Sequence, residues 1–232
     1  MGDNPHENHR ARMHERVART GMDDFAPHEV LEYLLYLAIP RQDTNPLAHR
    51  LLDQFGSLSA VLEASEEELL RVPGIGPKSA RVIRTVMQVG RCYQLDRIRK
   101  KRKFTNTAEL IEYCIPLFYG LSDERFYMIG VDDDFRMIRT MRLWDGAVNS
   151  LSVTSRRVAQ EALKMGATGV VVAHNHPAGL AIPSAEDIMS TTALKDTLES
   201  VSIVLHDHII VAGSEALSMK QSRRQPWTNG YY

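Results

Sequence analysis

The chain has 232 residues, 44% hydrophobic and 25% charged, with a net charge of −1, the balance of a globular protein with one large domain or two small ones. No apolar run approaches the ~18 residues of a membrane span, and the first twenty residues are too polar for a secretory leader. Cys92 and Cys114 frame no disulfide scaffold and form no zinc-binding pair, so a cytoplasmic, reducing setting is expected.

Charge is distributed unevenly. Residues 1–103 hold 17 Lys and Arg against 14 Asp and Glu, and residues 104–232 hold 11 against 15. Between residues 71 and 103, 11 basic residues meet one acid, Asp96. Residues 1–8 are polar and expected to be disordered. Asn8 to Gly21 is predicted as a short basic helix, with His6, His9 and His14 facing solvent. Leu31, Leu34, Leu35 and Ala38 stand at helical spacing after Ala26-Pro27, and Pro40 stops that helix. Asn45-Pro46 opens another, which Gly56 ends after Phe55. Two short helical stretches follow, Ser57 to Ala64 and Ser65 to Val72, the second opened by a Ser65/Glu68 capping box.

Val72-Pro73-Gly74-Ile75-Gly76-Pro77-Lys78 then resembles the hairpin of a helix-hairpin-helix module. Such a hairpin places backbone N–H groups beside a helix N-terminus, where a phosphate can sit. A plain tight connection between helices is the alternative. The next helix carries Lys78, Arg81, Arg84 and Arg91 on one side and Val82, Ile83, Val86 and Val89 on another. The run from Arg97 through Arg99, Lys100, Lys101, Arg102 and Lys103 is the expected domain boundary, either a solvated linker or a DNA contact. The backbone amides of Gly74, Ile75 and Gly76, with Lys78, Arg81 and residues 99–103, are the expected nucleic-acid contacts, with little sequence preference.

Beyond Phe104 strands alternate with helices. Thr107 to Phe118 is predicted as an amphipathic helix interrupted near Pro116. Phe126 to Val131 and Phe135 to Leu143 are strands about an Asp132-Asp133-Asp134 turn. Gly146 to Val153 is predicted as extended, with Thr154 or Ser155 capping a helix that Gly166 closes. Val170 to Ala173 is a buried strand, Ser184 to about Leu198 a helix, and Val201–Leu205, His208–Val211 and Glu215–Met219 strands. Residues 221–232 read as a mobile tail. The expected architecture is α/β (α+β): an all-helical module over residues 1–103, then a mixed-sheet core over 104–232.

The chemistry concentrates where the buried strand ends, at His174-Asn175-His176-Pro177. Strand residues two apart share a face, so both imidazoles point one way. Ser184 starts a helix and Asp187 lies one turn in. Two imidazoles and a carboxylate suit zinc, with a fourth position left for water. Taken singly these residues have plainer roles: Ser184 as an N-cap, Asp187 as an acid favoured by the helix dipole.

H-x-H-P followed by S-x-x-D resembles the metal motif of the JAMM (MPN+) metallohydrolases, and the longer H-N-H-P-x-G-x-x-x-P-S-x-x-D is similar to the bacterial RadC family within them. The usual RadC pattern has Asp-Pro-Thr-Pro after the glycine, whereas Leu180-Ala181-Ile182-Pro183 stands here with the spacing kept. The resemblance implies an MPN core, related to the cytidine-deaminase-like folds, that binds Zn2+ through His174, His176 and Asp187. It also implies a glutamate base before an early core strand. Glu124 stands there, with Asp123 the fallback. Ser184 is the implied oxyanion donor. Asn175, between the histidines, is expected to face away from the metal and tie the loop. His206-Asp207-His208 is expected to be supporting or strand-end polar groups rather than a second metal site.

The leading expectation is a zinc metallopeptidase or isopeptidase with a DNA-binding module. The alternatives are a repair- or recombination-associated DNA-binding factor without hydrolysis, and a metal-dependent nuclease. DNA and a peptide or isopeptide substrate are the expected partners, without a membrane.

Overall fold

The computed structural model describes residues 5–98, 103–145, 151–177, 179–223 and 226–227. The chain divides into two compact units, residues 1–90 and 91–232. Among its described residues the first has helices joined by turns and no strand: α1 (Pro5–Thr20), α2 (Pro27–Leu35), α3 (Asn45–Phe55), α4 (Leu58–Glu63), α5 (Glu66–Leu70) and α6 from Pro77, which runs on to Ile98. Leu31, Leu35, Leu47, Leu51, Val61, Leu69 and Ile83 form its core, of which Leu31, Leu35 and Ile83 are among the apolar positions read from helical spacing.

The amino-terminal segment departs from expectation. Helix α1 already begins at Pro5, a favoured first helical position, so residues 5–8 are helical rather than disordered. His14 is exposed as expected and His9 is partly exposed, but both rings also have partners. His9 Nε2 lies 2.9 Å from the buried Glu32 carboxylate, and His14 Nδ1 lies 3.1 Å from the Tyr33 hydroxyl. Arg10 reaches the carbonyls of Ile39, Pro40 and Gln42 at 2.6–2.7 Å. These contacts, with Met13 buried, hold α1 down and gave no sign in the hydropathy pattern.

The second unit holds α7 (Thr107–Phe118), β1 (Arg125–Val131), β2 (Met137–Asp145), α8 (Leu151–Lys164), β3 (Gly169–Asn175), α9 (Ala185–Glu199), β4 (Val204–Ala212) and β5 (Glu215–Ser218). The strands form one sheet in the order β2-β1-β3-β4-β5. Only β3 and β4 are parallel, and α9 supplies the crossover that a parallel pair needs. Both faces of the sheet are covered. On one, Tyr113, Leu117 and Phe118 of α7 pack on Ile129, Val171, Ala173 and Ile209. On the other, Val158 and Ala162 of α8 and Leu194 and Leu198 of α9 pack on Met128, Val170, Val172 and Leu205. Strand β3, at the centre, is buried along its whole length, which is why its sequence is a continuous apolar run. The expected mixed sheet with helices is present.

Several local expectations are corrected. The stretch predicted as extended up to Val153 is already helix from Leu151, so neither Thr154 nor Ser155 is the cap. Leu151, Ser155, Val158 and Ala162 keep helical spacing, and the alternation just before them misled; residues 146–150 lie outside the described residues. Pro116 does not interrupt α7 but sits in its last turn. Phe135 belongs to the turn, with a φ of 59°, and not to β2. The turn itself is held by Asp132 Oδ1, which accepts from the amides of Asp134 and Arg136. Trp227, assigned to a mobile tail, packs against the α8/α9 side of the core. Among the described residues no helix is long and apolar enough to cross a membrane.

The two strands expected at 201–205 and 208–211 are one strand, β4, with an extra residue in it. Val170 pairs with Leu205, yet the next residue, Val171, pairs with Asp207, so His206 is a bulge. His206 meets the Phe135 ring, 4.8 Å between centroids, on the α7 side. A Cβ at Gly169 would collide with the His206 ring, so this placement of the ring needs glycine on the neighbouring strand. Asp207 lies buried and accepts from the Ser218 hydroxyl and the amides of His208 and Lys220. Burial holds its carboxyl above the usual range despite those three donors. Beyond the bulge the ladder resumes, and His208 pairs with Val172 on the face that carries His174.

Candidate metal centre

Three elements build the site. Strand β3 ends with His174, and the His176 amide continues the ladder by donating to the Val211 carbonyl at 2.8 Å. The backbone is thus still extended at His176, and alternation turns both rings to the α9 side. Helix α9 brings Asp187 in from its first turn. Ser184 caps that helix: its hydroxyl accepts from the Asp187 amide at 3.1 Å, and the Asp187 carboxylate takes the Ser184 amide and hydroxyl at 2.7 Å each. The capping box therefore also aims the Asp187 carboxylate.

His174 Nε2 lies 2.9 Å from His176 Nε2 and 3.0 Å from Asp187 Oδ1, and His176 Nε2 lies 3.4 Å from Asp187 Oδ2. Among the described residues these three are the group able to hold a metal ion. A tetrahedral cation with bonds of ~2.0–2.2 Å spaces its donors by roughly 3.3 Å, close to these separations. The tautomer of His176 is fixed by its other nitrogen. Nδ1 lies 3.0 Å from the Leu180 carbonyl, which can only accept, so Nδ1 carries the proton and Nε2 presents a lone pair. A lone pair and a carboxylate thus face His174 Nε2, an arrangement satisfied by a cation or by a proton on His174. Leu180 contributes only its carbonyl, so the departure from the usual loop sequence leaves this contact intact.

Burial works to raise the Asp187 carboxyl, but hydrogen bonding and charge from His174, with the Ser184 donors, outweigh it and hold the group well below its usual range. Behind His174 stands a buried imidazole, His208, one of the three residues expected from sequence to be supporting or strand-end polar groups. His208 Nε2 lies 2.8 Å from His174 Nδ1, and its Nδ1 lies 2.6 Å from the Thr191 hydroxyl. Burial first, and then the neighbouring His174 and His176, hold His208 well below its usual value, against the pull of Asp187, and so keep it neutral. The Phe126 ring lies nearly parallel to His174 at 6.4 Å and itself stacks on Trp144 at 4.2 Å, which limits how His174 can turn.

Glu124 is exposed and sits immediately before β1. Phe126 pairs with His174 as the last rung of the β1/β3 ladder, and Glu124 lies two residues before Phe126, just outside that ladder. Asn175 faces the other way, as expected, and its amide brackets Glu124. It accepts from the Arg125 N–H at 2.8 Å and donates to the Asp123 carbonyl at 3.1 Å. Asp123, the fallback base, pairs with the Arg125 guanidinium at 3.7 Å, and alternation puts both on the side away from Glu124.

In the helical unit, Gly74 turns the hairpin with a φ of 97°, a conformation that favours glycine. Ile75 buries its side chain in the core and gives its N–H to the Val72 carbonyl at 3.0 Å. Its amide is therefore already used, which narrows the hairpin donors expected from sequence to Gly74 and Gly76. Lys78 and Arg81 are exposed on the first turns of α6, Lys103 is exposed, and Arg99, Lys100, Lys101 and Arg102 lie outside the described residues.

Residues 104–224 match the RadC-like JAB domain, and residues 57–86 match the helix-hairpin-helix motif. A UPF0758 protein of Rhodobacter capsulatus is 31% identical over 208 residues, covering 90% of this chain and 97% of that protein. A UPF0758 protein of Ruegeria pomeroyi is 32% identical over 212 residues, covering 91% and 95%. Because the domain match takes in more than half of the chain, the strand of His174 and the capped helix of Asp187 alike, the chain belongs to the RadC family.

Proposed function

We propose that this chain is a zinc-dependent hydrolase that cuts a peptide or isopeptide bond, carrying a helical unit that contacts DNA. The observation that supports it most is the meeting of His174 Nε2, His176 Nε2 and the Asp187 carboxylate within bonding distance of one point. These three residues would hold the ion, the nitrogen and oxygen set of a catalytic zinc site that keeps one position open. Bound there, zinc supplies a Lewis acid and brings the pKa of water from ~16 toward ~7. Glu124 takes the proton of the attacking water on a carboxylate oxygen and returns it to the leaving amine nitrogen. Asn175 holds the peptide units on either side of Glu124, so the base is set by the sheet rather than by a free loop. Ser184 donates to the carbonyl oxygen as it gains charge. In the resting chain that same hydrogen goes to Asp187 Oδ2, so the oxyanion role requires the hydroxyl to turn.

The commitment of the Ser184 hydroxyl to Asp187 favours the second reading, a core that binds without hydrolysing. One experiment separates the two. Purified full-length chain loaded with zinc is incubated with quenched-fluorescent peptides, with isopeptide-linked substrates and with labelled DNA. Cleavage of a peptide or isopeptide bond that a chelator abolishes and zinc restores is the expected result. Zinc-dependent cleavage of DNA alone would move the assignment to a nuclease, and no cleavage of any substrate would leave a binding protein.

For the helical unit, with residues up to 103 taken together with it, the match to the helix-hairpin-helix motif supports non-specific contact with DNA phosphates through Gly74, Gly76, Lys78, Arg81 and the basic run to Lys103. The full-length chain is expected to shift labelled DNA of any sequence at about 50 mM salt, with affinity falling steeply as salt rises. Reversing Lys78 and Arg81 to Glu should weaken all sequences alike and flatten the salt dependence. If binding at low salt is absent, the unit is a protein-docking or purely structural element.

A further inference from the structure

We infer that His208 and Thr191 are positioning residues of the metal centre: a directed chain of hydrogen bonds running through them fixes His174 in the tautomer that leaves Nε2 free for the metal. The inference rests on the reading of His174, His176 and Asp187 as metal ligands.

The direction of the chain follows from its first link. Thr191 Oγ1 lies 2.5 Å from the Asp187 backbone carbonyl. Two oxygens at that distance need a proton between them, and a carbonyl has none to give, so the Thr191 hydroxyl donates there. Its lone pairs are then what it offers to His208 Nδ1, 2.6 Å away, and His208 Nδ1 must carry a proton. A neutral imidazole has one such proton, so His208 Nε2 is an acceptor. The group facing it, at 2.8 Å, is His174 Nδ1, which must therefore donate. That uses the single ring proton of neutral His174 and leaves a lone pair on Nε2, aimed at His176 Nε2 and the Asp187 carboxylate. In the neutral ring, then, no proton stands at that meeting point, and a cation can take the Nε2 lone pair. If the chain ran in reverse, Thr191 would donate to His208, His208 to His174, and His174 Nε2 would be protonated and unable to bind metal.

The same links join the three elements of the site. The chain starts on the backbone of one ligand, Asp187 in α9, crosses through His208 of β4, and ends on another ligand, His174 of β3. Thr191 is 1% exposed and His208 2%, so solvent offers neither a competing partner. The His206 bulge is what turns His208 to this side.

The test uses the full-length chain and zinc. Affinity is measured by competition with a chromogenic chelator. Ring tautomers are read from long-range proton–nitrogen NMR correlations, and the ligand field from the absorption of the cobalt-substituted protein. His208→Leu and Thr191→Val are expected to weaken zinc by about 10- to 100-fold and to alter the cobalt spectrum. Thr191→Ser, which keeps the hydroxyl, should restore wild-type affinity. The wild-type NMR should place the His174 and His208 protons on Nδ1. Unchanged zinc affinity in cooperatively melting Thr191→Val, or a neutral His174 that carries its one ring proton on Nε2 in the zinc-free wild type, would overturn the inference. Should His208→Leu not fold, the Thr191 Val/Ser pair decides. Wild-type chain that binds zinc no more tightly than His174→Ala overturns the metal reading itself. Tight wild-type binding with insensitive variants overturns only the positioning role.

Discussion

Glu124→Gln is expected to keep one zinc per chain and to lower turnover by about 10²- to 10⁴-fold, the usual contribution of a positioned general base. The amide matches the carboxylate in size and cannot take a proton, so the change isolates proton transfer. Zinc content should not move, because the converging ligand atoms come from His174, His176 and Asp187 and not from Glu124. The register supports Glu124 over its neighbour. Glu124 has the parity of Phe126, which pairs with His174, whereas Asp123 has the parity of Arg125 and pairs with it. Zinc content and single-turnover rate measured together decide the matter. Loss of zinc would make Glu124 a ligand, and an unchanged rate would pass the role of base to Asp123.

His176→Ala and Asp187→Ala are each expected to remove zinc at stoichiometric loading. The loss in affinity should exceed the roughly 100-fold that removing a supporting partner costs, since a ligand itself is gone. Hydrolysis should vanish in proportion to zinc. Asp187→Ala carries a second effect, because the carboxylate also takes the Ser184 amide and hydroxyl at the start of α9. About 1 kcal/mol of cap stability should go with it, visible as a lower melting temperature of the metal-free protein. His176→Ala lacks that component, since among the described residues its ring meets the Leu180 carbonyl, His174 and the Asp187 carboxylate but no helix-capping group of Ser184. Metal analysis of the purified variants reads the first effect and calorimetry the second. Full zinc occupancy in a His174/His176 double alanine variant would place the site elsewhere.

Much of this was legible in the residues. The convergence of His174, His176 and Asp187 could be read because strand alternation and one helical turn are short-range rules, and H-x-H followed by S-x-x-D uses nothing else. The order of a helical unit followed by a mixed sheet came from hydrophobic period and turn residues, and likewise needed no long-range information. What escaped reading depended on partners distant in sequence. The grip of Arg10 on carbonyls 29 to 32 residues away leaves no periodic trace. The start of α8 was missed because a few alternating residues fit period 2 as well as 3.6. His208 was seen only as one of three polar residues, since regular alternation would have put it beside His206. The use of the Ile75 amide within its own turn was equally hidden, because which N–H groups a hairpin leaves over is settled by backbone geometry rather than residue type.

The bulge at His206 makes this part of the protein sensitive to number more than to identity. Up to Leu205 strand β4 keeps one parity of inward and outward positions, and from Asp207 it keeps the other. Many side chains at position 206 would preserve the offset, since what matters is that one residue is left uncounted. Losing one residue there would restore an unbroken ladder and turn one half of the strand over: either His208 would leave the metal side, or Leu205 would leave the core beneath α8 and α9. Relatives that keep the centre should therefore vary in composition around this point far more readily than in length, and an insertion or deletion of one residue within β4 should mark those that have lost it.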